Sequence, residues 1–519
     1  MAGNRIKVLL AHAAGHGRRA VRSRLPFQEI GYQRKSKFLA LFRVELRPRI
    51  GVARDNRGDR AAVLRLRNEI RAIRRIELVG VDEIGVQPTL SERDAVEDRV
   101  LHLGAERVPS HVRDLQRRVR RRDLVDLAAD PAETRRHLVF AAALGQELGE
   151  DEMVALFAAR GPEVRAVAAA ADEARRATVG DDVTWVHNRN INYTNVCTFK
   201  CRFCGFSKGK LSLNLRGTPY LLTLDDIAQR ALDAWNLGAT EVTLQGGIHP
   251  DFDGDYYIDV TRAVKQAAPG MHVHGFTALE VTEGARRLGE DLATYLRRLK
   301  EAGLASLPGT AAEILDDRVR AILSPDKVTT DEWLDCHAAA HEVGLRSNVT
   351  IMFGSIEGID SWAKHMVVTR DLQRETGGFT EFVGLPFVHM ASPIYLQRKS
   401  RRGPTFRETL LVHAVARLAY RGAIDNIQAS WVKIGVDGAR QLLRSGCNDL
   451  GGTLMDENIS RAAGAAHGQK MSEDSFGALV STLGRPLEQR TTLYGRTPGG
   501  RETTSIPAAA RAATSDSDP

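Results

Sequence analysis

Two hydrophobic periods divide the chain. From Glu133, apolar residues recur three and four apart through Phe140, Leu144, Leu148, Met153, Leu156 and Phe157, the spacing of a helix with one buried face. Glu150-Asp151-Glu152 suits a first helical turn, and Gly161-Pro162 breaks the pattern. Glu163 to Ala177, rich in alanine with its charges on one side, predicts a second helix that ends before Gly180.

Beyond Gly180 short β-type runs alternate with helical ones. Strands are predicted at Val183 to Tyr193, Glu241 to Leu244, His272 to Phe276, Ala305 to Leu307, Ser347 to Phe353, Phe382 to Pro386 and Ile427 to Trp431. Helices are predicted at Thr223 to Leu237, with Thr223 as N-cap, at Tyr256 to Gln266 and at Gly284 to Ala302. About eight β-then-α units in roughly 280 residues imply a parallel sheet closed into an α/β barrel of the (β/α)8 TIM type. In such a barrel the chemistry sits at the C-terminal ends of the strands.

Charge and composition change the picture in front of that barrel. Residues 1–140 hold 31 of the 73 Lys and Arg but only 18 of the 65 Asp and Glu, so the net charge of +8 belongs to this segment and the rest of the chain is acidic. Every Cys and Trp lies beyond residue 184. An Arg-rich arm can bind phosphates. The interspersed acids and the lack of an aromatic stacking platform favour instead a weakly folded leader, or a stretch upstream of the true start. The expected organisation is a leader over 1–140, a helical preface over 141–180, a barrel with a C-terminal extension over 181–495 and a disordered tail over 496–519. No apolar run approaches the 18 residues of a membrane span. Five cysteines are too few for a secreted disulfide framework and point to a reducing, cytoplasmic compartment.

The densest chemistry follows the first strand, in Asn190-Ile191-Asn192-Tyr193-Thr194-Asn195-Val196-Cys197-Thr198-Phe199-Lys200-Cys201-Arg202-Phe203-Cys204. Three thiols spaced x3 then x2 can reach three corners of an iron–sulfur cube and leave the fourth iron open. A structural zinc site wants four ligands, and no second pair of cysteines is present. A redox dithiol at Cys201 and Cys204 leaves Cys197 without a role. Cys336 and Cys447 read as isolated thiols.

Cys197, Cys201, Phe203 and Cys204 resemble the signature of the radical S-adenosylmethionine (SAM) superfamily. The resemblance implies one [4Fe-4S] cluster on Cys197, Cys201 and Cys204, with SAM on the open iron and a 5′-deoxyadenosyl radical that takes hydrogen from substrate. Gln245-Gly246-Gly247 looks like the segment that meets the methionine part of SAM, although a tight strand-to-helix turn would also explain it. Thr350-Ile351-Met352-Phe353-Gly354-Ser355-Ile356-Glu357 is similar to the strand along the adenine, which makes Thr350 and Gly354 candidate contacts. Phe203 joins them through its place in the cysteine loop.

From about Gly161 to Gly495 the finer resemblance is to the tyrosine-using CofH family of FO synthases, carried by Asn188 to Asn195, Ala278 to Val281, Leu307 to Leu315 and Asn448 to Met455. It implies cleavage of L-tyrosine at Cα–Cβ and transfer of the 4-hydroxybenzyl group to 5-amino-6-(D-ribitylamino)uracil, in the synthesis of FO, the precursor of coenzyme F-420. Ring closure would fall to a second, CofG-type radical SAM protein, and an electron donor is needed. The fused enzymes of this family carry another radical SAM domain where this chain has its Arg-rich segment, so the expectation is a split gene or a misread upstream frame.

Other site residues rest on position. His272 and His274 alternate onto one face of the third strand and are catalytic candidates with Glu280. A buried, hydrogen-bonded core role is open for either histidine. Glu280 and Glu313, near the ends of strands three and four, are candidates for the SAM ribose or a substrate amine, or are solvated helix-start carboxylates. Asn348, His389, Ser392, Asn448 and Asp449 are candidates for the ribityl and pyrimidine groups; Gly446 to Gly452 can equally be a plain turn. Two other readings stand beside this one: an aminofutalosine synthase-like radical SAM enzyme of menaquinone biosynthesis, and an Arg-tethered nucleic-acid binder with a structural metal.

Overall fold

The computed structural model describes residues 131–143, 145–208, 218–468 and 470–497. The leader up to residue 130 and the tail from 498 lie outside them. Three helices precede the barrel: α1 (Pro131–Ala143), α2 (Glu150–Phe157) and α3 (Pro162–Val179). Glu152 at the third position of α2 accepts the amide of Gly149, and Pro162 opens α3. The expected boundary at 140 therefore cuts α1, whose Leu138 and Ala142 are buried and whose Arg135 pairs with Glu163 at 2.9 Å.

Ten parallel strands follow: β1 (Val183–Val186), β2 (Asn188–Ile191), β3 (Glu241–Leu244), β4 (His272–His274), β5 (Leu304–Leu307), β6 (Arg346–Phe353), β7 (Phe379–Pro386), β8 (Asn426–Ala429), β9 (Asp449–Gly452) and β10 (Leu487–Gln489). Their order in the sheet is β10-β1-β9-β8-β7-β6-β5-β4-β3-β2. Only His187 separates β1 from β2, yet β2 ends that order and β1 stands next to its other end, so the sheet curls round on itself. The seam is made by Met455, which donates to Asn188 O (3.3 Å) and accepts from Asn190 N (2.8 Å). The predicted α/β barrel is thus present, with β10 added beside β1.

Capping residues set most helix starts. Thr223, Thr277, Thr329 and Thr405 each accept the amide three residues on, where an acidic side chain returns the bond. The helix expected over Gly284 to Ala302 is two helices, Ala278–Leu288 and Leu292–Ala302, because Gly289 takes the left-handed conformation (φ 69°) that ends the first. The first starts earlier than predicted because Thr277 and Glu280 form a capping box. The segment allowed as a turn, Gly446 to Gly452, contains β9 instead. No described helix is long and apolar enough to cross a membrane.

Candidate active site

At the C-terminal end of β2 the chain leaves the sheet as the cysteine loop. Backbone bonds hold it on both sides: Cys197 N donates to Lys208 O (3.2 Å), Thr198 N to Ile248 O (2.9 Å) and Arg202 N to Leu323 O (2.8 Å). A Cβ on Gly247 would collide with Val196 O and one on Gly246 with the Tyr193 ring, so both glycines are required by the loop packed over them. Ser207 N and Ile248 N each lie 3.3 Å from a sulfur, of Cys204 and Cys197 respectively.

The three thiols line a cavity of about 220 Å³, open at its mouth, together with Phe203, Gln245, Gly246, Gly247 and Glu313. Among the described residues no three His, Cys, Asp or Glu side chains gather around a single-ion position. The thiols stand around the cavity wall instead. Burial pushes the Cys197 and Cys201 thiols up, and the nearby Lys327 ammonium works against that rise. Three soft donors from one loop, with backbone amides aimed at two of the sulfurs, suit an iron–sulfur cluster with one iron left for another ligand. Lys327 pairs with Glu313 (2.7 Å) and lies 5.5 Å from the Phe203 ring centre.

A second cavity, about 210 Å³, lies in the barrel interior. Asn188, Asn190 and Asn192 of and just beyond β2, Glu241 of β3, His274 of β4, Asn348 and Thr350 of β6, Glu381 of β7 and Gln428 of β8 line it. Arg490, just after β10, reaches in from the far end of the chain. It is held by both oxygens of Asp449 (2.6 and 2.9 Å) and stands 3.5 Å from Glu381. Burial raises the Glu381 carboxyl against the pull of Arg490. Gln245, Thr310, Leu385, Lys433 and Ile459 line both cavities, so the two meet.

The structure separates the predicted residues. Cys197, Cys201, Cys204, Phe203, Gln245, Gly246, Gly247 and Glu313 share the thiol cavity; His274, Asn348 and Thr350 face the inner one. His272 and His274 do point the same way, each 2.7 Å from Ser306 Oγ, and burial pushes both imidazoles down, His272 to about 4.

The remaining candidates are placed differently. Glu280 lines neither cavity: it is buried beneath Gly246, accepting from Gly246 N (3.0 Å), Thr277 N (2.7 Å) and the Tyr193 hydroxyl. Thr350 is replaced on the thiol cavity by Met352, the next residue on the same face of β6. Gly354 packs on Pro404, and its amide is taken by Glu357, which also accepts from Trp362 Nε1 (2.9 Å). That G-x-x-E closes a turn and lines no described cavity. His389 rests against Tyr395, and Ser392 donates to Arg202 O (3.3 Å) behind the cysteine loop. Asn448 sits at the N-terminal end of β9, where it binds Arg417 (2.7 Å) and Ile427 N (2.9 Å). Asp449 is fully buried and reaches the inner cavity only through Arg490. Sequence reasoning passed over Lys327, Glu241, Glu381, Lys433 and Arg490; each lies outside any short motif.

A parallel α/β barrel with a C-x3-C-x2-C loop over the C-terminal end of a strand defines a radical SAM enzyme. The radical SAM superfamily model matches residues 191–366, and the model of the CofH/MqnC C-terminal region matches 376–494. The chain is 47% identical over 347 residues to the 5-amino-6-(D-ribitylamino)uracil--L-tyrosine 4-hydroxyphenyl transferase of Methanopyrus kandleri, covering 67% of this chain and 93% of that one. The chain belongs to that family, the CofH type within the radical SAM superfamily, whose members carry a [4Fe-4S] cluster and use SAM. It is also 50% identical over 349 residues to the FO synthase of Nocardia farcinica, covering 67% of this chain and 40% of that one. The chain thus spans about two fifths of the length of the FO synthases it matches. Solved structures of similar fold include methylornithine synthase (TM-score 0.53, 17% identity, 67% of this chain and 96% of that one). The FeFe-hydrogenase maturase HydG from Carboxydothermus hydrogenoformans is another (TM-score 0.54, 14% identity, 72% and 83%).

Proposed function

We propose that this chain cleaves L-tyrosine at Cα–Cβ and transfers the 4-hydroxybenzyl group to 5-amino-6-(D-ribitylamino)uracil. The observation that carries the reading is the junction of a thiol-lined cavity with an inner cavity walled by amides, carboxylates and hydroxyls. Cys197, Cys201 and Cys204 would hold a single [4Fe-4S] cluster, with Gly246 and Gly247 leaving room for SAM beside it. When bound, this pair supplies a hydrogen-abstracting deoxyadenosyl radical.

The chain's own residues do the rest. Phe203, Phe199, Ile248 and Met352 line the thiol cavity with apolar surface that limits water around a reactive radical. In the inner cavity, Asn190 Oδ1, Asn192 Oδ1 and Thr310 Oγ1 are buried with no partner among the described residues. Buried polar atoms left unpaired are costly, and a polyol or a pyrimidine edge would pair them. Arg490, fixed by Asp449, keeps the Glu381 carboxyl oriented toward the same space. A CofG-type partner would close the ring to FO, an external donor would supply the electron, and the reducing cytoplasm suits the exposed chemistry of the thiols.

The test is anaerobic incubation of the reconstituted protein with SAM, dithionite, L-tyrosine and the ribitylaminouracil, followed by mass spectrometry. A 4-hydroxybenzyl adduct of the uracil with 5′-deoxyadenosine is the expected outcome. Deoxyadenosine without that adduct would turn the reading toward another substrate pair, such as that of an aminofutalosine synthase-like enzyme.

A further inference from the structure

The basic side chains that line the two cavities are Lys327, Arg490 and Lys433. Lys327 is paired with Glu313 and Arg490 with Asp449. Lys433 differs. It lies at the start of the helix after β8, lines both cavities, and makes no side-chain hydrogen bond or ion pair with any described residue. Glu457 and Glu313 are the acidic groups that act on it, both from beyond ion-pair distance. Glu313 is already matched by Lys327, and both Glu457 oxygens accept the amide of Ser460 (2.9 and 3.0 Å).

Lys433 is half-buried, and an ammonium partly withdrawn from water with no counter-ion within ion-pair distance is unfavourable, so an arriving anion relieves it. Burial accordingly lowers the pKa of this lysine. The geometry points to Lys433 as the anchor for the α-carboxylate of an amino-acid substrate, L-tyrosine, held across the junction of the two cavities. The amine shares its carbon with that carboxylate, so anchoring one at the common wall presents the other to the thiol cavity. The aromatic ring is then left to the inner cavity. This assignment rests on the function proposed above, whose second substrate, the ribitylaminouracil, carries no carboxylate.

The experiment is equilibrium dialysis of labelled L-tyrosine and of tyramine, which lacks the carboxylate, against unreduced, reconstituted enzyme with SAM present. The unmodified protein is compared with Lys433→Met and Lys433→Arg. Lys433→Met should weaken tyrosine about 30-fold or more, the effect of deleting one side of a buried charge pair. It should leave tyramine and SAM binding as they are in the unmodified enzyme, while Lys433→Arg should retain most of the tyrosine affinity. Unchanged tyrosine binding in Lys433→Met, equal loss of tyrosine and tyramine, or loss of SAM instead would each overturn the anchor. If the unmodified enzyme binds SAM but not tyrosine, the proposed function itself fails; if it binds tyrosine and Lys433→Met binds equally well, only the anchor does.

Discussion

The two cavities that meet at Gln245 and Lys433 are built in opposite ways. The thiol cavity takes its three sulfurs from one loop of eight residues, packed over the Gly-Gly turn. The inner cavity takes one to three side chains from each of several strands, together with an arginine that the chain supplies some 300 residues after β2. A contiguous site fails at a single residue and leaves the barrel standing. A distributed site is part of the barrel, so its loss is paid in stability as well as activity.

The sharpest test of that contrast is Cys197→Ala. It should abolish the cluster absorbance and SAM cleavage, a loss of at least about a thousandfold in turnover, equivalent to ~4 kcal/mol, while leaving the thermal transition of the metal-free protein near its original value. Retention of either property would remove Cys197 from the ligand set. Asp449→Asn should behave in the other way. It leaves Arg490 with a weakened partner in a fully buried position, and breaking such a pair costs about 3–5 kcal/mol. Urea unfolding should register that loss while the cluster spectrum persists; a variant as stable as the original would show that the inner cavity is less integral than described. The smallest effect is expected from removing residues 1–130, which should leave turnover unchanged in the adduct assay. The cut belongs at 130 because Leu138 and Ala142 of α1 are buried, and a large loss of activity would give the leader a function.

The same contrast governs what could be read from the chain. Cys197, Cys201 and Cys204 are legible because a cluster needs its ligands close together, and Gly246-Gly247 because close packing admits no side chain there. The alternating strands and helices were legible because period and capping are local properties. Arg490 was not, since nothing near it in sequence shows that β10 lies beside β1. Asn448 and Asp449 were substrate candidates as polar groups suited to a polyol, with a plain turn as the alternative; only the sheet shows them at the opening of β9. Glu280 carries a local signal that was left unused. Thr277 and Glu280 stand at the spacing of a capping box, a signal that was in the sequence and that accounts for a buried carboxylate without any ligand.

The closure of the barrel at Asn188–Asn190 also bears on the order of biogenesis. The eight residues of β1 and β2 that lead into the cysteine loop are bonded to β3 on one side and to β9, β10 and Met455 on the other. Thr184 and Asn188 bond partners 265 residues away. A ribosome has therefore to release almost the whole chain before the footing of that loop exists, and contacts of such long range form late. The cysteine loop therefore gains its footing only after β9 and β10 have joined the sheet beside β1.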